Sequence, residues 1–239
     1  PATHIPASMV PTLVPTLFFF LMCRRPPRSP LFPSTTLFRS DGRMYGEPFG
    51  QSFFRQMCYH TGYADHVAGM VREVAEWYGV DGFFFDCFHT APCIGRECME
   101  KMKAEGVDFT NSEQLNDFNY RKMLAMGRKL ADAARAVNPD LLLYFNGIDF
   151  AAQKELGSYL ELECLPQGGW GYELLPMVAR YMRTLGKPML NMTGRFQKSW
   201  GDFGGVRTAA SVEYDCIGGI ANGIPDRKST RLNSSHRIR

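Results

Sequence analysis

The sequence predicts an α/β chain built on parallel strands, and three observations carry that expectation. Short apolar runs alternate with longer segments of helical periodicity, the pattern left by repeated strand–helix units. Some runs are apolar at every residue, "GFFF" at 82–85 and "LLLYF" at 141–145 among them, which suits strands covered on both faces. Polar residues also close nearly every run: His60, Asp86, Asn146, Glu163 and Thr193. A doubly wound sheet gathers its ligands at one switch point, whereas a (β/α)₈ barrel builds its site from the C-terminal ends of many strands. The expected fold is therefore a TIM barrel. The 185 residues from 41 to 225 fall short of the ~250 of a complete one, so an incomplete barrel of about five to six βα units is expected.

The elements follow in order. "FFRQMCY" at 53–59 reads as a strand. Val67, Met70, Val71, Val74 and Tyr78 then recur at helical spacing, which predicts an amphipathic helix over 64–78 that Gly79 ends. A strand at 82–86 comes next, and a long loop from 87 to about 111. Met123, Met126, Leu130, Ala134 and Val137 mark a second helix, stopped at Asn138-Pro139-Asp140. Strands at 141–147 and 159–165, a helix at 173–185, a strand at 187–194 and a helix at 205–216 complete the alternation. The glycine-rich "CIGGIANG" at 216–223 is expected to open a further strand.

The two chain ends read differently from the middle. "MCRRPPRSPLFPSTTLFRS" at 22–40 looks like the translated read-through of a sequencing adapter, and "DRKSTRLNSSH" at 226–236 resembles the adapter of the opposite side. Residues 1–40 and 226–239 are accordingly expected to be non-native, the first of them disordered, with the folded domain confined to 41–225. The charge follows the same division. Taking the four arginines of residues 1–40 and the net +4 of residues 226–239 from the total of +3 leaves the middle at −5. An acidic middle argues against a nucleic-acid partner, which would meet a basic face. The run "MVPTLVPTLFFFLM" at 9–22 imitates a signal peptide, but it contains two prolines and is too short to span a bilayer. No membrane partner is expected, and the expected compartment is the cytoplasm. Six cysteines lie in a segment too large to need a disulfide framework, which suits a reducing compartment.

Three stretches could carry chemistry. In "GVDGFFFDCFHT" at 79–90, Asp86 ends a buried aromatic strand, where burial and neighbouring charge can set a carboxylate's reactivity. A helix cap or structural acceptor is the plainer role for the same residue. In "LELECLPQGGWGYE" at 160–173, Glu161 and Glu163 point the same way because side chains alternate along a strand. Trp170 and Tyr172 follow among glycines; they suit a sugar face, or loop packing. In "MTGRFQKSWGDFGG" at 192–205, Arg195, Lys198, Trp200 and Asp202 sit in a mixed polar and aromatic loop of the kind that binds ligands. Cys87, Cys93 and Cys98 hint at zinc, but their spacing has no CxxC knuckle, so no metal is expected. GxGxxG and P-loop patterns are absent, which speaks against nucleotide binding.

Together, "YGVDGFFFD", "ELECLPQGGWGYE" and "MTGRFQKSWGDFGG" resemble the barrel domain of hypothetical glycosyl hydrolases related to bacterial α-L-fucosidases, over residues 53–223. The resemblance implies a (β/α)₈ barrel that cleaves glycosides with retention of configuration, without a cofactor. It implies that Asp86, which matches an aspartate ending the fourth strand, is the nucleophile. Glu163 is the expected acid/base, with Asp202 as its alternative. His60, His89, Asn146, Glu161, Trp170, Tyr172, Arg195, Lys198 and Trp200 would hold or stack on the sugar. The partner is thus a carbohydrate, and the full-length parent could be a homo-oligomer. A β-galactosidase-like enzyme and a non-catalytic carbohydrate-binding barrel are the alternatives. The 239-residue chain itself is expected to turn over no aryl glycoside.

Overall fold

The computed structural model describes residues 18–20, 37, 39, 57–166, 171–194, 197, 205–224 and 226–228. Strands and helices alternate through them. Strand β1 (Phe18–Phe20) is followed by helix α1 (Tyr63–Trp77), strand β2 (Gly82–Phe85), and helices α2 (Arg96–Glu105) and α3 (Ser112–Arg135). Then come β3 (Leu142–Phe145), α4 (Phe150–Leu156), β4 (Leu160–Cys164), α5 (Leu174–Arg183), β5 (Met189–Thr193), α6 (Ala209–Ala221) and β6 (Asp226–Lys228).

All the strand pairs are parallel, and the strands lie side by side in chain order, β1-β2-β3 in one sheet and β4-β5-β6 in the other. Each helix therefore returns the chain to the next position along one direction, as in a barrel wall, with none of the order reversal of a doubly wound sheet. The two sheets abut where Ser158 N–H donates to the Leu143 carbonyl at 2.8 Å and Leu143 N–H to the Ser158 hydroxyl at 3.0 Å. The described strands form two short sheets and no closed barrel. The outer strands β1 and β6 lie in residues 1–40 and 226–239, the segments expected to be non-native.

The aromatic run explains itself in this geometry. Phe83 and Phe85 face outward and pack with Phe88, Leu143 and Phe145 against Val67 and Val71 of α1 and Met126 and Leu130 of α3. Phe84 faces the other way, with Tyr144 and Tyr159. Both faces of β2 are covered, so an uninterrupted apolar strand is stable there. Gly82 begins it because a Cβ at that position would lie 2.2 Å from the Leu142 carbonyl oxygen. A second, smaller core joins Leu160, Leu162 and Cys164 of β4 to Leu175, Ala179 and Met182 of α5.

Four expectations are corrected. Residue 57 makes only an isolated bridge, and the rest of the strand expected at 53–59 is either irregular or outside the described residues. The long loop after β2 contains α2, whose buried face is just Cys98 and Met102; a stripe that thin is hard to see among charges. Helix α4 lies between two expected strands, started by the Asp149 carboxylate accepting from Ala152 N–H. "CIGGIANG" is not a strand. It continues α6, which Thr208 caps by accepting from Ser211 N–H. Its glycines permit close packing, since a Cβ on Gly218 would meet Leu175 Cδ2 at 3.1 Å. Among the described residues no helix is long and apolar enough to cross a membrane.

Candidate active site

Register places the chemistry-bearing residues on one face. Phe84 pairs with Tyr144, so the next residues but one, Asp86 and Asn146, emerge together at the C-terminal ends of β2 and β3. On β4, Leu160, Leu162 and Cys164 turn toward α5, which leaves Glu161 and Glu163 on the opposite face. Leu190 and Met192 of β5 stand beside those two acids in register. The face away from the helices thus has an aromatic floor of Phe84, Tyr144 and Tyr159, with carboxylates above it at the strand ends.

Asp86 is held by two donors. Asn146 Nδ2 donates to its Oδ1 at 2.8 Å, and Cys87 N–H donates to the same oxygen at 2.9 Å. The second bond depends on a tight turn in which Cys87 takes φ of 51°, a left-handed conformation uncommon outside glycine. Phe88 N–H then donates to the Asn146 carbonyl at 2.6 Å, and Asn146 N–H to the Phe85 carbonyl at 2.9 Å. The Asp86 and Asn146 backbones are therefore cross-braced on both sides of the carboxylate.

Glu163 has a different environment. Its carboxyl is pushed up from the usual 4.5 to about 7, first by burial, then by the negative charge of Asp86, then by Glu161. A half-buried acid beside two other acids keeps its proton near neutrality. Glu161 lies one step deeper and is buried, and its backbone carbonyl accepts from the Tyr144 hydroxyl at 3.1 Å. Burial and the charge of Glu161 hold the Tyr144 phenol well above its ordinary range. One carboxylate braced by hydrogen bonds and one acid kept protonated are the two complementary groups of acid–base chemistry at a single site.

The structure brings together Asp86, Asn146, Glu161 and Glu163. His89 is exposed and close by, its Nδ1 3.6 Å from where a Gly147 Cβ would stand. His60 is elsewhere: it packs edge-on against Phe118, and its Nδ1 lies 3.5 Å from Cys98 Sγ. Tyr172 leans on α6 through the Ser211 hydroxyl and the Tyr214 ring. Trp170, Arg195, Lys198, Trp200 and Asp202 lie outside the described residues. A small pocket touches Asp86, but Val67, Phe85, Met126 and Leu130 line it, so it lies on the side of α1 and α3 and not over the acids.

Sequence reasoning missed one polar network. Arg207 and Asp215 form a buried ion pair at 2.6 Å, with both side chains 1% exposed. The Thr193 hydroxyl donates to Asp215 at 2.5 Å and accepts from Arg207 at 2.7 Å. Arg207 also donates to the Gly194 carbonyl at 2.9 Å. The network fixes the end of β5 at Thr193 and Gly194. Arg207 and Asp215 stand eight residues apart in a segment with other charges, so their pairing left no signal in the sequence.

No family model matches the chain, and no curated protein matches it. Solved structures do. α-L-Fucosidase isoenzyme 2 from Paenibacillus thiaminolyticus superposes with a TM-score of 0.73 at 32% identity, over 80% of this chain and 30% of that one. A β-galactosidase from Rahnella sp. R3 gives 0.66 at 14% identity, over 89% of this chain and 40% of its own length. A catalytic mutant of a GH42 β-galactosidase from G. stearothermophilus gives 0.63 at 12%, over 82% and 38%. The chain spans about a third of the length of these structures. At that coverage it has a glycoside-hydrolase-like fold, and the two β-galactosidases speak for the fold alone.

Proposed function

We propose that this chain carries the catalytic face of a retaining glycoside hydrolase of α-L-fucosidase type. The observation that supports it best is the contrast between Asp86, braced by Asn146 and the Cys87 amide, and Glu163, kept protonated to about pH 7 by burial and by Asp86 itself. Retaining glycosidases need one carboxylate to attack and one acid to protonate the leaving oxygen, about 5–5.5 Å apart. The likeness at 32% identity to an α-L-fucosidase favours the fucoside over the galactoside.

In this reading both bonds to Asp86 fall on Oδ1, and Oδ2 attacks the anomeric carbon. Glu163 gives its proton to the glycosidic oxygen as the C–O bond breaks, and an ester to Asp86 forms. Glu163, now a carboxylate, takes a proton from water, which cleaves the ester and restores both groups. Ionising Glu163 costs less at this stage, because Asp86 is neutral while it is esterified. Phe84, Tyr144 and Tyr159, all buried, form the packed aromatic layer beneath the two acids.

The test is a screen of aryl glycosides on the parent gene product carrying residues 41–225, wild type against Asp86→Asn. Hydrolysis of nitrophenyl α-L-fucoside that falls by about 10³-fold or more in the variant is expected. Hydrolysis restricted to the β-galactoside would replace the substrate class. Equal activity in Asp86→Asn would remove the nucleophile assignment.

A further inference from the structure

The loop that leaves the site after Asp86 returns to the body of the protein at a cluster of sulfur atoms. The thiol sulfurs of Cys58, Cys93 and Cys98 all lie within 4.8 Å of one another, and all three residues are buried. Cys58 and Cys98 are 3.4 Å apart, and His60 Nδ1 is 3.5 Å from Cys98. None of the three is in a disulfide. Around a tetrahedral zinc with bonds of about 2.3 Å, neighbouring sulfurs stand roughly 3.8 Å apart, within reach of this arrangement.

We propose that Cys58, Cys93 and Cys98 hold one zinc ion through three thiolates, with His60 Nδ1, 3.5 Å from Cys98, moving in as the fourth ligand, and that the ion pins the loop after β2 to the segment before α1. This inference does not depend on the glycosidase reading. Four features of the surroundings suit it. Gly95 N–H donates to Cys93 Sγ at 3.3 Å, a bond that stabilises thiolate charge. Cys98 lies in the first turn of α2, where the positive end of the helix favours an anion. The His60 ring is held edge-on against Phe118 with its Nδ1 already 3.5 Å from Cys98 Sγ, so a ring nitrogen stands beside the sulfurs. Finally, three thiolates and one zinc sum to −1, and Lys122, itself 2% exposed, supplies a compensating charge whose field acts on Cys98.

Without a metal the same cluster is costly. The three buried sulfurs crowd one another, with Cys58 and Cys98 only 3.4 Å apart. Zinc binding releases three thiol protons to solvent and changes no oxidation state. Thiolate sulfur with imidazole selects zinc over magnesium or calcium. The sequence hides the site because its ligands come as Cys-x-His and, 33 residues after His60, Cys-x4-Cys. Cys87, which sequence spacing suggested as a third ligand, is exposed and outside the cluster.

The experiment refolds the full 239-residue chain from denaturant with zinc, with cobalt and with EDTA. One metal per chain is expected, and the cobalt form should show intense thiolate-to-cobalt charge-transfer bands with tetrahedral visible bands. Alkylation followed by mass spectrometry should find Cys58, Cys93 and Cys98 protected with zinc and modified with EDTA, while exposed Cys87 is modified in both. Cys93→Ser should lose the charge-transfer intensity and the stoichiometric metal. Refolding and alkylation that are indifferent to metal would overturn the proposal. So would weak octahedral cobalt spectra, or a Cys58–Cys98 disulfide recovered under non-reducing conditions.

Discussion

The two sheets solve the same packing problem with different chemistry. Around β2 and β3 the helix-facing core is almost wholly apolar: Phe83, Phe85, Phe88 and Phe145 fill the space against α1 and α3. At the strand tip a charge enters in Asp86. Around β4 and β5 polar groups enter the wall itself. Glu161 is buried on one face, while Asn191, Thr193, Arg207 and Asp215 are buried on the other. The first half supplies a rigid aromatic mount for one braced carboxylate. The second supplies the low-dielectric, like-charged setting that keeps another acid protonated. The division places both kinds of group at the same end of adjacent sheets.

The comparison predicts opposite responses to substitution. In the apolar half, Phe145→Ala should lower unfolding stability by about 3–5 kcal/mol, since Phe145 is fully buried and stacks on Phe85 at 4.6 Å. Denaturant unfolding measures it, and a loss under 1 kcal/mol would mean that the core closes over the gap. No second substitution that adds polarity should recover the loss.

The polar half should break as severely yet be rescued. Asp215→Ala leaves the Arg207 guanidinium buried without its ion pair, at a cost of about 3–5 kcal/mol. Replacing both partners, Arg207→Met with Asp215→Leu, should recover most of that loss, because the desolvation penalty disappears with the charges. A double variant as unstable as Asp215→Ala would show that the network is needed for its hydrogen bonds to Thr193 and Gly194.

Much of the apolar half was readable in the sequence, because strands covered on both faces leave unbroken runs such as 82–85 and 141–145, and α1 and α3 leave clear helical stripes. The parity of β4 also placed Glu161 and Glu163 on one face. What escaped notice was set by tertiary proximity. Helix α2 buries too few residues to mark a stripe, and Gly218 reads as strand until Leu175 of α5 is seen packed against it. Asn146 was legible as a polar strand end, but its bond to Asp86 spans 60 residues. His60 was legible as a polar loop residue and not as a neighbour of Cys98. Spacing along the chain carries no information about such contacts.

The smallest expected effect separates the halves by pH. Glu163 titrates at about 7 in the folded chain against its ordinary 4.5, so the folded state binds its proton more tightly. The stabilisation this brings is fully present below pH 4.5 and is lost as pH rises through 7, where the ionised group faces Asp86 and Glu161. Glu163→Gln removes the titration. The difference in melting temperature, variant minus wild type, should therefore rise between pH 4 and pH 8, by about 2–4 °C for a loss of roughly 1 kcal/mol once partial solvent screening is allowed for. Asp86→Asn should reproduce part of the rise, because it removes the negative charge that acts most strongly on Glu163 and lets it ionise at lower pH. A difference that stays flat with pH, or falls, would place the Glu163 carboxyl in water and take from β4 the acid that distinguishes it from β2.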